Sequence, residues 1–237
     1  MKIGIITDVH SNLLALDAVI QKFKRENCDT IICCGDIIGI GPYPEQTVQY
    51  MMSLPNLICV RGNHDHYQFR GLPDRITESE KLHHLWNKSL LSASSMNFLK
   101  ELPLKSDLSV SGHTVSVLHY SVDSENRYGF VKNPTKNDLE DLFSGVDGEI
   151  ICYGHDHKRF ICQIGKKWYI NVGSCGCPEG DKNIARGGIL KIERENVSLE
   201  CIDEIYDVNK VIKVIKEINR LNYPASREIL KFFYGVF

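Results

Sequence analysis

Five short apolar runs in this chain each stop at a block of ionisable residues, and that pattern limits the possible folds more than any other feature. Lys2-Ile3-Gly4-Ile5-Ile6-Thr7 runs into Asp8-Val9-His10, Thr30-Ile31-Ile32-Cys33-Cys34 into Gly35-Asp36, and residues 56–61 into Gly62-Asn63-His64-Asp65. Val115-Ser116-Val117-Leu118 stops at His119, and Ile150-Ile151-Cys152-Tyr153 at Gly154-His155-Asp156-His157. Short apolar runs bounded by turn residues read as buried strands. Leu13, Leu16, Ile20 and Phe23 recur at helical spacing after the first run, and a second helix is expected over about 44–53. Strands alternating with helices predict βαβ units and a mostly parallel sheet. The carboxyl ends of strands in such a sheet form one rim, where ligands bind.

The rest of the chain adds helices and a second set of strands. Residues 74–101 are helical in character but irregular, and Pro103 ends them. Strands are then expected at 107–111, 113–119, 149–153, 159–164, 167–171, 186–193 and 197–202, with a helix near 135–143 between them. Gly165-Lys166 has the look of a hairpin turn. Two packed sheets with helices outside accommodate this order. Val208, Val211, Ile212, Ile215 and Ile218 fall on one helical face, and a second short helix is expected near 225–234. The organisation predicted is one domain over 1–205, with a helical tail, 206–237, packed on it.

Composition excludes several classes of function. Apolar residues are 43% of the 237 and charged residues 24%, ordinary for a globular protein, and the formal charge of −2 gives no bulk attraction to nucleic acid or anionic membrane. No apolar run approaches the ~20 residues that span a bilayer. The opening residues, MKIGIITDVH, lack the basic region and apolar core of a signal peptide. The nine cysteines are odd in number and mostly within apolar runs, which predicts reduced thiols and a cytoplasmic location. Cys175-Gly176-Cys177 lacks the second pair that a metal site of that kind requires.

Each strand-end residue alone has an ordinary explanation. Asp8 or Asp36 could cap a helix, Asn63 could serve a turn, and His119 could be a satisfied structural histidine. Those explanations would have to hold independently at five strand ends sharing one rim. Carboxylate oxygens with imidazole nitrogens suit Mn²⁺, Fe²⁺, Zn²⁺ or Ni²⁺. Seven candidate ligands exceed what one ion needs but fit two ions ~3.5–4 Å apart that share a carboxylate. Such a pair activates a water and clamps the oxygens of an in-line displacement at phosphorus, while a nearby imidazole protonates the leaving oxygen.

The ordered set Asp8-x-His10, Gly35-Asp36, Gly62-Asn63-His64-Asp65, His119 and Gly154-His155-x-His157 resembles the calcineurin-like metallophosphoesterase superfamily over residues 1 to about 205. The resemblance implies a four-layer α/β/β/α sandwich of two mixed sheets with flanking helices. It implies one metal on Asp8, His10, Asp36 and His157, and a second on Asp36, Asn63, His119 and His155, with Mn favoured. His64 is then the protonating or phosphate-contacting imidazole and not a metal ligand, and Asp65 a residue that orients it. Asn171-Val172-Gly173-Ser174 and the segment after Asp8 are similar to small bacterial and archaeal phosphodiesterases, a branch that includes diadenosine tetraphosphate hydrolases. Gly39 and Ile40 stand where phosphoprotein phosphatases carry an Asp-Arg pair, which argues against that activity. Glu179 stands where the branch has a basic residue, which weakens the case for a highly charged polyphosphate.

Arg61, Lys158 and Arg186 are candidate phosphate contacts, each equally consistent with a solvated surface charge. The partner expected is a small-molecule phosphoester rather than nucleic acid or membrane. Ligand residues alone do not separate a phosphodiesterase from a phosphomonoesterase. A non-catalytic metal-binding scaffold is the rival from another class, and an intact His64 counts against it.

Overall fold

The computed structural model describes residues 1–73, 76–123, 128, 129, 131, 134–194, 196–220 and 225–236. Residues 74 and 75, at the head of the expected helical stretch, and 221–224 and 237, in the expected tail, lie outside them. Side-chain alternation builds the frame. In β1 (Lys2–Ile6), Ile3 and Ile5 enter one apolar cluster and Ile6 another. In β2 (Thr30–Cys33), Ile31 and Cys33 face the second cluster, while Ile32 and the following Cys34 face the first. β6 (Ile150–Cys152) sends Ile150 and Cys152 to the first cluster and Ile151 to a third. Successive residues of a strand face opposite sides, so strands apolar at every position are covered on both faces.

One sheet has the order β10 (Asn196–Ile205), β9 (Ile184–Glu193), β1, β2, β3 (Leu57–Cys59). The other runs β4 (Lys105–Val110), β5 (His113–Leu118), β6, β8 (Lys167–Asn171), β7 (Phe160–Ile164). The strands β1, β2 and β3 are parallel, as are β5, β6 and β8. The flanking strands β9, β10, β4 and β7 pair antiparallel. Both sheets are therefore mixed, as the resemblance implies, in place of one mostly parallel sheet. The reason lies in the connections: the two residues between β9 and β10, or between β7 and β8, permit only a hairpin, whereas a parallel return needs a crossover of about a dozen residues or more. Gly165 takes φ +58° in the β7–β8 turn, as its position in the sequence predicts.

The first cluster lies between the two sheets and joins Ile3, Ile5 and Ile32 to Val115, Val117, Ile150 and Ile170. Outside the first sheet lie α1 (Leu13–Arg25), α2 (Pro44–Met52), α5 (Ala93–Glu101), α7 (Val208–Arg220) and α8 (Ala225–Tyr234). Leu16, Phe23, Met51, Leu99, Val211 and Leu230 from these helices share one apolar cluster. Outside the second sheet, Leu139 of α6 (Lys136–Leu142) packs with Ile151, Tyr153 and Tyr169. The architecture is α/β/β/α. The stretch expected to be helical but irregular holds two helices, α4 (Glu78–Leu90) and α5, parted at Leu91, where the Ser92 hydroxyl caps α5 by accepting from the Ser95 amide.

All nine cysteines are free, and seven are buried. Cys175 and Cys177 belong to the outer apolar cluster, where burial pushes both thiols up and holds them protonated. Among the described residues no helix is long and apolar enough to cross a membrane.

Candidate metal centre

The carboxyl ends of β1, β2 and β3 in one sheet meet those of β5 and β6 in the other, and the polar blocks sit on that shared rim. Asp8, His10, Asp36, His155 and His157 there all have positive φ, between 50° and 76°. Non-glycine residues avoid this region, and a cluster of them marks a site whose backbone geometry is held by its surroundings. The holding bonds are visible. The amides of His10 and Ser11 donate to the carbonyls of Asp36 and Ile37 at 3.0 and 2.9 Å, lacing the first two blocks together. The His155 amide donates to both Asp8 oxygens at 3.1 and 3.2 Å, and the Thr7 hydroxyl adds a third bond at 2.8 Å.

Two groups of donors result, with Asp36 in both. In one, His10 Nε2 lies 2.8 Å from His157 Nε2 and 3.8 Å from both Asp8 Oδ1 and Asp36 Oδ2. In the other, His119 Nε2 lies 3.4 Å from Asp36 Oδ2 and 3.0 Å from Asn63 Oδ1, which is 2.9 Å from His155 Nδ1. Asp8, Asp36, His10 and His119 are essentially fully buried.

Proton placement decides what these groups can hold. His119 Nδ1 faces the Cys34 carbonyl at 2.7 Å and His10 Nδ1 faces the Ile38 carbonyl at 3.3 Å. A carbonyl only accepts, so each Nδ1 carries a proton and Nε2 is the nitrogen left to offer a lone pair inward. Those lone pairs face carboxylate oxygens, the Asn63 oxygen and another imidazole. Buried acceptors facing acceptors are costly unless a cation lies between them. Protons register the same demand. Burial lowers His119, yet the Asp36 carboxylate outweighs it and raises the ring to about 10. His155, where burial acts first and His119 adds to it, falls to about 3. The donors fit divalent ions of mixed nitrogen and oxygen preference.

Residues 1–195 match the calcineurin-like phosphoesterase superfamily domain. The chain belongs to that superfamily. It is a metal-dependent phosphoesterase with candidate metal-ligating residues at the rim. It is 30% identical, over 92% of its length and 93% of the other's, to an uncharacterized protein, MJ0912, of Methanocaldococcus jannaschii. It is 26% identical to phosphodiesterase MJ0936 of the same organism, over 82% of this chain and 95% of that one. The crystal structure of a metallophosphoesterase from Sphaerobacter thermophilus superposes with a TM-score of 0.72 at 24% identity, covering 92% of this chain and 94% of that one.

The phosphoesterase places the remaining expected residues unevenly. The His64 amide donates to Asp36 Oδ1 at 2.8 Å, its ring meets that of His10 edge-on at 4.9 Å, and its buried Nδ1 has no hydrogen-bond partner among the described residues. His64 also lies close enough to His10 and Asp36 to form a third candidate ligand group. The Asp65 carboxylate accepts the amides of Gly62, Ile37 and Ile38 at 3.0, 3.3 and 3.2 Å and so fixes the loop carrying Asp36. Burial, with the Asp36 charge added, raises it to about 7. Asn63, His64 and Asp65 open a helix, α3 (Asn63–Arg70), that the sequence analysis did not anticipate.

Arg61 stacks on Phe69 at 5.0 Å, Arg186 donates to the Glu179 carbonyl at 2.9 Å, and Lys158 is exposed. None of the three lines the cleft beside His64. Two positioning residues carried no expected role. Asn171 donates to the Gly154 carbonyl at 3.1 Å, and Ser174 donates to the Asp8 carbonyl at 2.8 Å. The quoted Asn171-Val172-Gly173-Ser174 segment was the signal for both.

Gly62 is required by close approach. A Cβ there would stand 2.1 Å from Asp36 Oδ1 and 2.3 Å from its backbone nitrogen. Gly62→Ala is expected to destabilise the fold by about 3 kcal/mol through overpacking. Calorimetry should show Tm lowered by roughly 6–12 °C. An unchanged Tm would mean that the Asp36 loop is not packed as described.

Proposed function

We propose that the chain is a phosphodiesterase that uses two divalent ions and acts on a small nucleotide-type phosphoester or phosphoanhydride, with diadenosine tetraphosphate among the candidates. The observation that carries this is the pair of donor groups sharing Asp36. Asp8, His10, Asp36 and His157 would hold one ion, and Asp36, Asn63, His119 and His155 the other. Manganese is favoured, because carboxylate and amide oxygens mixed with imidazoles suit it. Ions held there supply Lewis acidity, drawing charge from a phosphoryl group and acidifying water beside it.

The remaining tasks belong to the side chains. His64 gives a proton to the leaving oxygen. Its amide bond to Asp36 fixes where the ring stands relative to the donor groups. Burial lowers this ring and the Asp36 charge raises it, with burial the stronger. An arriving phosphoryl oxyanion acts in the raising direction, so substrate itself favours the protonated form. Asp65, Asn171 and Ser174 position the loops and donate nothing to the reaction. Seven buried thiols suit a reducing compartment, which favours the cytoplasm.

The test is hydrolysis of bis-p-nitrophenyl phosphate and p-nitrophenyl phosphate by the Mn²⁺-loaded protein. A kcat/KM for the diester about tenfold or more above that for the monoester is expected. The reverse order makes the protein a monoesterase. No turnover of either, with ions bound, favours the scaffold.

A further inference from the structure

A cleft of about 630 Å³ opens beside the metal centre, lined by His64 and His157 on one side and by residues of α4 and α8 on the other. Its volume is within the range of small-molecule sites. We propose that this cleft receives the leaving group of the substrate, and that the group is flat, aromatic and free of negative charge. The proposal rests on the reading of His64 as proton donor. A donor must lie next to the oxygen it protonates, so whatever that oxygen carries enters the space His64 lines.

The walls indicate the chemistry of the occupant. Buried Ile229 and half-buried Phe233 supply an apolar side, and Phe232 at the mouth is 69% exposed. An isolated exposed aromatic is unremarkable, but one at the mouth of a cleft that reaches the reaction centre can cover a bound ring. His64 and His84 also line the cleft, their rings 5.1 Å apart and tilted by 32°, and add imidazole faces to the aromatic lining. The formal charges among the described lining residues are Glu80 and Glu228, and no lysine or arginine is among them. Lys231 stands 5.7 Å from the Phe232 ring and is not part of the lining. A leaving group with further phosphates would meet these two carboxylates and no matching cation among the described lining residues, so the cleft favours a phosphoester over a phosphoanhydride such as diadenosine tetraphosphate. A nucleobase or aryl group meets apolar surface that it can bury.

The probes are phenylphosphonate, methylphosphonate and 4-carboxyphenylphosphonate, titrated calorimetrically into the Mn²⁺-loaded full chain. Binding is read directly, so the result does not depend on turnover. Phenylphosphonate should bind about tenfold tighter than methylphosphonate, and the added carboxylate should remove that gain. Phe232→Ala combined with Phe233→Ala should reduce the aryl preference to about threefold or less, with methylphosphonate affinity within about twofold of wild type. Phe232→Ala alone, at an exposed position, should move the preference in the same direction and guards against misfolding of the double variant. Glu80→Gln should restore binding of the carboxylated probe. Methylphosphonate binding without an aryl preference, or a preference that both variants leave intact, overturns the cleft assignment alone. Failure of methylphosphonate itself to bind overturns the reading of the metal centre, and the cleft assignment with it.

Discussion

His64→Ala is expected to lower kcat for a phosphodiester by about 10²–10⁴, the range attributable to one positioned proton donor. Metal content should be unchanged. His64 holds its place through its amide bond to Asp36, which survives in alanine, so the loop geometry should persist. Among the described residues its buried Nδ1 has no hydrogen-bond partner, whereas His10 and His119 each commit Nδ1 to a carbonyl. A ring not anchored in this way suits a group that exchanges a proton during turnover. His64 also stands near enough to His10 and Asp36 to act as a ligand. Metal analysis of the variant separates the two roles. An ion lost together with activity would make His64 a ligand and end its assignment as acid.

Asp36→Asn is expected to remove at least one ion per chain and reduce turnover about 10²-fold or more. Asp36 Oδ2 lies near His119 Nε2 and His10 Nε2, at 3.4 and 3.8 Å, so one carboxylate serves both donor groups. The amide keeps the shape but removes the negative charge, and its NH₂ can face the inward lone pairs that the cation otherwise satisfies. His119 should respond as well. Asp36 is the charge that raises it to about 10, so in the metal-free variant NMR titration should find His119 markedly lower. Full activity with two ions bound would refute the shared role of Asp36.

The strand-end blocks were legible because strands and catalytic loops leave local traces. Uninterrupted apolar positions in β1, β2 and β6 mark strands covered on both faces, and polar residues directly after them mark the rim. The helix α3 left no such trace, since Asn-His-Asp-His-Tyr-Gln-Phe-Arg has no apolar stripe. What forms it is a local cap and a tertiary bond: Asp65 at the third helical position accepts the Gly62 amide, and Asp36 from the neighbouring loop accepts that of His64. The role of Asp65 was hidden for a related reason. A carboxylate next to a histidine suggests a partner for the ring, and only the fold shows the amides of Ile37 and Ile38 reaching it. The cleft was not legible at all. Its walls come from residues near 80 and near 230, which neither spacing nor composition connects.

The most direct test is the rate of bis-p-nitrophenyl phosphate hydrolysis by metal-stripped protein as Mn²⁺ is added in known equivalents. Two donor groups sharing Asp36 predict a rate that keeps rising to two equivalents per chain and is flat beyond. Saturation at one equivalent, or two tightly bound equivalents without turnover, would contradict the two-ion phosphodiesterase.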